Sequence, residues 1–282
     1  MKRTLIAIAL LAALPVAAQV SEPMSREFKL PLLEAPFTKA SADEAANAYA
    51  KSFATLVMTT QGVEIRPRAE FDKEREVRFL DTPGTCALRG AGYILRERVY
   101  RQDYRVTLKT RSADEAWVRA TRLDGPEASV KLEEDVVPPG TGKLSRSATV
   151  RIVPRQAPRT LAQAAELFPA LKRLATSDAP LEVVEGLKVK ETVYKLPDWR
   201  VAGVKFEAGL SVWHAASDGR LLFVESDFSY DVPQDPAKAR EVAEKAQALF
   251  AAMQADAAWA GARTQTKTDF TYGAAGGKFC KP

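Results

Sequence analysis

The 282-residue chain has one histidine, His214, and two cysteines, Cys86 and Cys280. A single imidazole and one cysteine pair at that spacing match no zinc site. The two cysteines form either a disulfide or two independent small side chains. Only one long apolar run is present, LIAIALLAAL near the start, too short to cross a bilayer comfortably. No fixed-period repeat, heptad array or low-complexity stretch occurs. Charge of one sign is not in large excess: 41 Lys and Arg face 36 Asp and Glu, a formal +5. That balance does not suggest a nucleic-acid protein, which concentrates bases on one face. Hydrophobic residues make up 46%, enough for a real core in one or two domains.

Lys2 and Arg3 precede the apolar run, and PVAAQ follows it with small residues near Ala18. This order reads as a secretory signal peptide over 1–18, with a periplasmic or secreted chain and no membrane span after cleavage.

Beyond it, 26–32 reads as a short strand. Residues 41–58 read as a helix, with Ser41 and Glu44 placed for a capping box. Strand-like runs follow at 62–66, 74–81, 93–101, 103–111, 115–123 and 128–137. The segment PPGTGK (138–143) is a turn; its GTGK lacks phosphate-loop spacing, and Leu144 stands where Ser or Thr is required. A helix over 160–175, bent at Pro169, precedes strands at 183–196, 200–213 and 220–230. A helix over 236–253 comes next, and a polar tail occupies 256–282. Helices grouped between runs of strands predict an α+β fold with mostly antiparallel pairing.

The strands are two-faced, because side chains alternate across a strand. In DYRVTLKTR (103–111) one face carries Arg105, Thr107, Lys109 and Arg111, and the other Tyr104, Val106 and Leu108. Residues 128–137 separate Lys131, Glu133 and Asp135 from Val130, Leu132 and Val136. Glu225 and Asp227 oppose Val224 and Phe228, and Lys188, Lys190 and Thr192 share a face. An open antiparallel sheet with one wet face has this pattern. So does a closed barrel with a polar lumen.

The stretch FLDTPGTCALRGAGYILRER (79–98) resembles the CYTH superfamily, the triphosphate tunnel metalloenzymes. The matching elements are Phe79, Asp81-Thr82-Pro83, Leu88-Arg89, Gly92 and Leu95-Arg96-Glu97-Arg98. Val106-Thr107-Leu108-Lys109, Lys131 to Asp135, Lys188-Val189-Lys190 and Val224-Glu225-Ser226-Asp227 then follow in the family's order, covering roughly 25–253. The family's opening Glu-x-Glu-x-Lys appears here as Ser25 to Lys29, with Ser25 replacing the first glutamate.

The resemblance implies an antiparallel β tunnel of about eight strands with flanking helices, in a domain over 19–255. It implies a small polyanionic phosphate ligand held by Lys29, Arg96, Arg98, Lys109, Lys131, Lys188 and Lys190. It implies Mg²⁺ or Mn²⁺ held by Glu27, Glu225 and Asp227, with Glu133 and Asp135 as catalytic carboxylates. The resulting expectation is a divalent-metal-dependent phosphohydrolase acting on triphosphate or polyphosphate, or a binding module that keeps the tunnel without turnover. Glu97 falls on the opposite face from Arg96 and Arg98 and is not expected among the ligands.

Overall fold

The computed structural model describes residues 24–39, 41–175 and 178–281; the expected signal peptide lies outside the described residues. In chain order the elements are β1 (Ser25–Pro31), α1 (Ala35–Lys39), α2 (Ala42–Gln61), β2 (Glu70–Asp81), α3 (Ala87–Gly90), β3 (Tyr93–Tyr100), β4 (Asp103–Ser112), α4 (Glu115–Ala120), β5 (Ser129–Val137), β6 (Thr141–Ile152), α5 (Leu161–Leu167), β7 (Glu182–Val183), β8 (Val189–Val201), β9 (Val204–Ala215), β10 (Leu221–Asp231), α6 (Pro236–Ala255) and α7 (Lys267–Gly273).

The strands run β3-β4-β6-β5-β1-β10-β9-β8-β2, and β2 pairs again with β3. Nine strands therefore close a barrel, and the two-residue β7 adds to the end of β2. All pairings are antiparallel except β1 with β5. Closure decides between the two readings of the alternation: the charged faces line a lumen, and the apolar faces point outward under helices. The tunnel barrel implied by the motif resemblance is the architecture of this chain.

Two outer cores hold the wall in shape. Phe28, Phe206, Leu210 and Phe228 pack under Phe53 of α2 and Phe250 of α6. Phe28 stacks on Phe228 with ring centroids 4.7 Å apart. Each such ring contributes roughly 1.5–3 kcal/mol by leaving water. The second core puts Leu95, Val106 and Leu108 against Leu161, Ala164 and Phe168 of α5 and its exit. The capping box of α2 forms as expected, with Ser41 and Glu44 hydrogen-bonding reciprocally. Gly62, in the left-handed region at φ 72°, ends that helix.

Four expectations change. Residues 62–66 contain no strand. Residues 115–120 form α4, because Asp114 caps the N–H of Trp117 and starts a helix within an otherwise strand-like run. Residues 141–152, of which 141–143 were expected in a turn and the rest was given no element, are β6, so the barrel has nine strands where about eight were expected. The polar alternation of β6 disguised it: Ser145, Ser147 and Thr149 alternate with Leu144, Ala148 and Val150, and small hydroxyl residues weaken the contrast. Finally, the tail contains α7. Cys86 and Cys280 are joined in a disulfide with Cα atoms 5.2 Å apart, and this pins the tail to the entry of α3.

Candidate functional site

The lumen is a cavity of about 590 Å³ lined mainly by charged and hydroxyl side chains. That volume is typical of a small-molecule site, roughly 300–1,000 Å³. Its walls carry ten basic and six acidic side chains, with Thr107, Ser147, Thr149 and Ser211 between them. Three groupings can be distinguished.

The first is an arginine cluster on β2 and β3. Arg96 stands opposite Phe79 and Thr107, and Arg98 opposite Val77 and Arg105. The alternation that sends Leu95 outward sends both arginines inward. Arg75 joins them from β2, its Nε 2.5 Å from Glu191 Oε2. The Nε atoms of Arg96 and Arg98 are buried and have no acceptor among the described residues. Burial pushes the pKa of Arg96 down, and Arg75 adds to this. Burial, then Arg96 and Arg75, push Arg98 further down. These guanidinium groups pay for desolvation without full compensation, which is the condition of a site waiting for an anion.

The second grouping is acidic and already countered. Glu27 of β1 and Glu133 and Asp135 of β5 each place a carboxylate oxygen within 4.8 Å of the others. The β1–β5 register sets them side by side, with Glu27 opposite Asp135 and Ser25 opposite Glu133. Lys29 Nζ lies 2.5 Å from Asp135 and 2.7 Å from Glu27. Lys109 Nζ is 2.7 Å from Asp135, Lys131 Nζ is 2.6 Å from Glu133, and Arg111 is 3.7 Å from Asp135. Burial works to raise the Asp135 pKa, but Lys109, Lys29 and Arg111 overcome it and hold the carboxyl well below its usual range. Burial likewise opposes ionisation of Glu133, and Lys109 and Lys29 again prevail. Glu27 is pushed upward by burial against the pull of Lys29.

The third grouping centres on Lys267 of α7. Its Nζ is 2.5 Å from Ser211 Oγ, 2.9 Å from Glu225 Oε1 and 3.6 Å from Glu191 Oε1. Trp213 Nε1 donates to Glu191 at 2.9 Å. Asp227 is pushed up to about 7 by burial, with Glu27 and Glu225 adding to it against Lys267. Gly209 is directly opposite in the β9–β10 register. A Cβ there would sit 3.3 Å from Asp227 Oδ1, so the glycine gives that carboxyl its space.

Lys29, Arg96, Arg98, Lys109, Lys131, Glu27, Glu133, Glu225 and Asp227 line one lumen, and Asp135 joins them through its ion pairs. Lys188 and Lys190 do not. Lys188 is exposed ahead of β8, and Lys190 points outward to Glu74 at 2.9 Å. The two-residue period of β8 turns Glu191 and Val193 inward instead, opposite in sign to the expected bases. Glu225 lines the lumen with Lys267 as its close partner, and the carboxylates that converge within 4.8 Å of one another are those of Glu27, Glu133 and Asp135. Glu97 is on the outer face as expected, fully buried, with Arg78 3.7 Å away.

Sequence reading missed Arg75, Glu191 and Lys267. Arg75 shares parity with Phe79, so the motif strand extended backward would have found it. Glu191 needed the register of β8. Nothing in a polar tail signalled Lys267.

No family model matches the chain, and no curated protein matches it by sequence. Among solved structures it is similar to HpAC1 from Hippeastrum, an assigned adenylyl cyclase described as having a dominant triphosphatase activity. That likeness has TM-score 0.40 and 15% identity, covering 86% of this chain and 92% of the other. It is also similar to an assigned adenylate cyclase from Bacillus halodurans, at TM-score 0.39 and 13% identity, covering 86% and 93%. Likeness this remote bears on neither activity nor substrate.

Proposed function

We propose that this chain is an exported, divergent CYTH-like tunnel protein that acts as a metal-dependent phosphohydrolase on triphosphate or polyphosphate. The observation that carries the reading is the half-buried pair Arg96 and Arg98, whose buried Nε donors lack acceptors inside the barrel lumen. A polyphosphate supplies many acceptor oxygens and the missing negative charge. Arginine engages phosphate in bidentate fashion, and Lys29, Lys109 and Lys131 add point charges. Export is supported by the signal-like leader and by the Cys86–Cys280 disulfide, a bond typical of oxidising compartments.

Glu27, Glu133 and Asp135 fit Mg²⁺ or Mn²⁺, since the donor set is all carboxylate oxygen and the three oxygens converge. Such an ion, when bound, supplies charge neutralisation at phosphate oxygens. The chain's own groups do the rest. The bases hold the phosphate chain and stabilise charge as the bridging P–O bond breaks. Glu133 orients the attacking water and takes its proton, which then passes to the leaving phosphate. Asp135 keeps Lys29 and Lys109 aimed into the lumen. Removing one basic contact costs roughly 2–4 kcal/mol of transition-state stabilisation.

A second reading, binding without turnover, is favoured by Ser25 at the first acidic position and by the lysines already seated on the carboxylates. Phosphate release from tripolyphosphate, measured with Mg²⁺ or Mn²⁺ across pH 6–10, separates the two. Release supports the hydrolase. Binding without release supports the second reading, and neither binding nor release sinks both.

A further inference from the structure

At one end of the barrel the lumen-facing positions stop being polar. Val77, Phe79, Val189, Trp213 and Phe223 belong to the inward parities of their strands, yet they are buried against one another. The C-terminal segment completes this floor. Tyr272 joins the cluster from α7, with Phe270 and Phe279 packed on it.

The segment is held from several directions. Tyr272 Oη donates to the buried Asp81 at 2.8 Å, and Arg89 lies over the Tyr272 ring at 4.4 Å. Gly84 N–H donates to the carbonyl of Phe279 at 2.8 Å, and the next residue, Cys280, is bonded to Cys86. Lys267 rises from the same helix as the floor's own cation, its ammonium 5.4 Å from the Trp213 ring. Lumen residues Arg105 and Lys131, by contrast, are 49% and 54% exposed, and they mark an open rim.

Resting on the phosphate reading of the same lumen, we propose that the barrel is a cup with a single mouth and that the protein engages phosphate chains only at their ends. An apolar floor pinned by a disulfide lets no chain pass through. The interior of a polymer would have to enter as a hairpin, forcing two rows of like charge into one cavity. A chain end enters singly. It also carries the greater charge, because a terminal phosphate has a second ionisation with a pKa near 6 that interior phosphates lack. The unpaired Arg96 and Arg98 donors match that extra charge.

The proposal fixes a stoichiometry. Calorimetric titration of the mature protein with linear polyphosphates of two lengths should give two protein molecules per chain at both lengths. Tripolyphosphate should bind, and a long chain with both terminal phosphates blocked as bulky phosphoramidates should bind at least about tenfold more weakly than the same chain unblocked. Stoichiometry that rises with chain length, or equal affinity for blocked and unblocked chains, overturns the single-mouth proposal while leaving the phosphate reading intact. Failure of tripolyphosphate and of unblocked chains alike overturns the phosphate reading, and this proposal with it.

Discussion

Replacing Arg98 with methionine should stabilise the ligand-free protein and impair it as an anion binder. Arg98 is half-buried in the lumen, its buried Nε has no acceptor, and Arg96 and Arg75 crowd it with like charge. Glu191 is the acid that most favours its charged form, and that carboxylate is already committed to Arg75 and Trp213. A buried polar group without a partner costs about 1–3 kcal/mol, and methionine fills similar space without that cost. The variant should therefore gain about 1–3 kcal/mol, or roughly 2–4 °C in Tm per kcal/mol for a chain of this size. The same change removes a charged hydrogen-bond donor worth about 1.5–3 kcal/mol, so Kd for tripolyphosphate should rise roughly ten- to hundredfold. Thermal melts with and without tripolyphosphate read both effects on one sample. The reasoning is refuted if Arg98→Met lowers Tm as an ordinary core substitution does and leaves the ligand-induced shift unchanged.

Other consequences follow from particular contacts. Lys190→Met, on the outer face, should leave tripolyphosphate affinity unchanged, whereas Lys109→Met should weaken it at least about tenfold by calorimetry. Burial pushes the Asp227 carboxyl up to about 7, above the usual carboxylate range, so the folded state holds a proton between about pH 4 and 7 that the unfolded chain has lost. Stability should therefore fall as pH rises through that window, by at most about 1.4 kcal/mol per pH unit from this group, and level off above 7. Denaturant melts of Asp227→Asn should lack that component, and an unchanged slope would contradict the assignment. Cys280→Ser opens a covalent loop of 194 residues and should cost about 2–5 kcal/mol, read as a lower denaturant midpoint. Glu27→Gln removes one of three converging carboxylates and should weaken Mn²⁺ binding in the presence of tripolyphosphate, measured by titration against a metal indicator.

The most legible part of the barrel was the hairpin of β3 and β4. Its alternation is clear apart from Ile94 and Glu97, and the motif residues fix which parity faces inward, so Arg96, Arg98 and Lys109 were readable as one cluster. Legibility fell where the signal depends on long-range pairing. The side chains of β8 alternate clearly, but parity alone does not say which face is inside, and Lys190 was assigned to the lumen in place of Glu191. Strand β6 was hidden by hydroxyl residues that serve as lumen wall without looking charged. The apolar floor was not readable at all. Val77, Trp213 and Phe223 look like any strand hydrophobics until closure of the barrel shows them on the inward face. Lys267 reaches the lumen from a polar tail that a disulfide and the Tyr272–Asp81 hydrogen bond help hold against the barrel.

The central claim is that the inward arginines form an anion site enclosed by the barrel. A crystal structure of the mature protein grown with tripolyphosphate addresses it most directly. It should place phosphate oxygens within hydrogen-bonding distance of Arg96, Arg98 and Lys109 inside the barrel; a lumen without the anion at saturating concentration, or anion density confined to the outer surface, would contradict it.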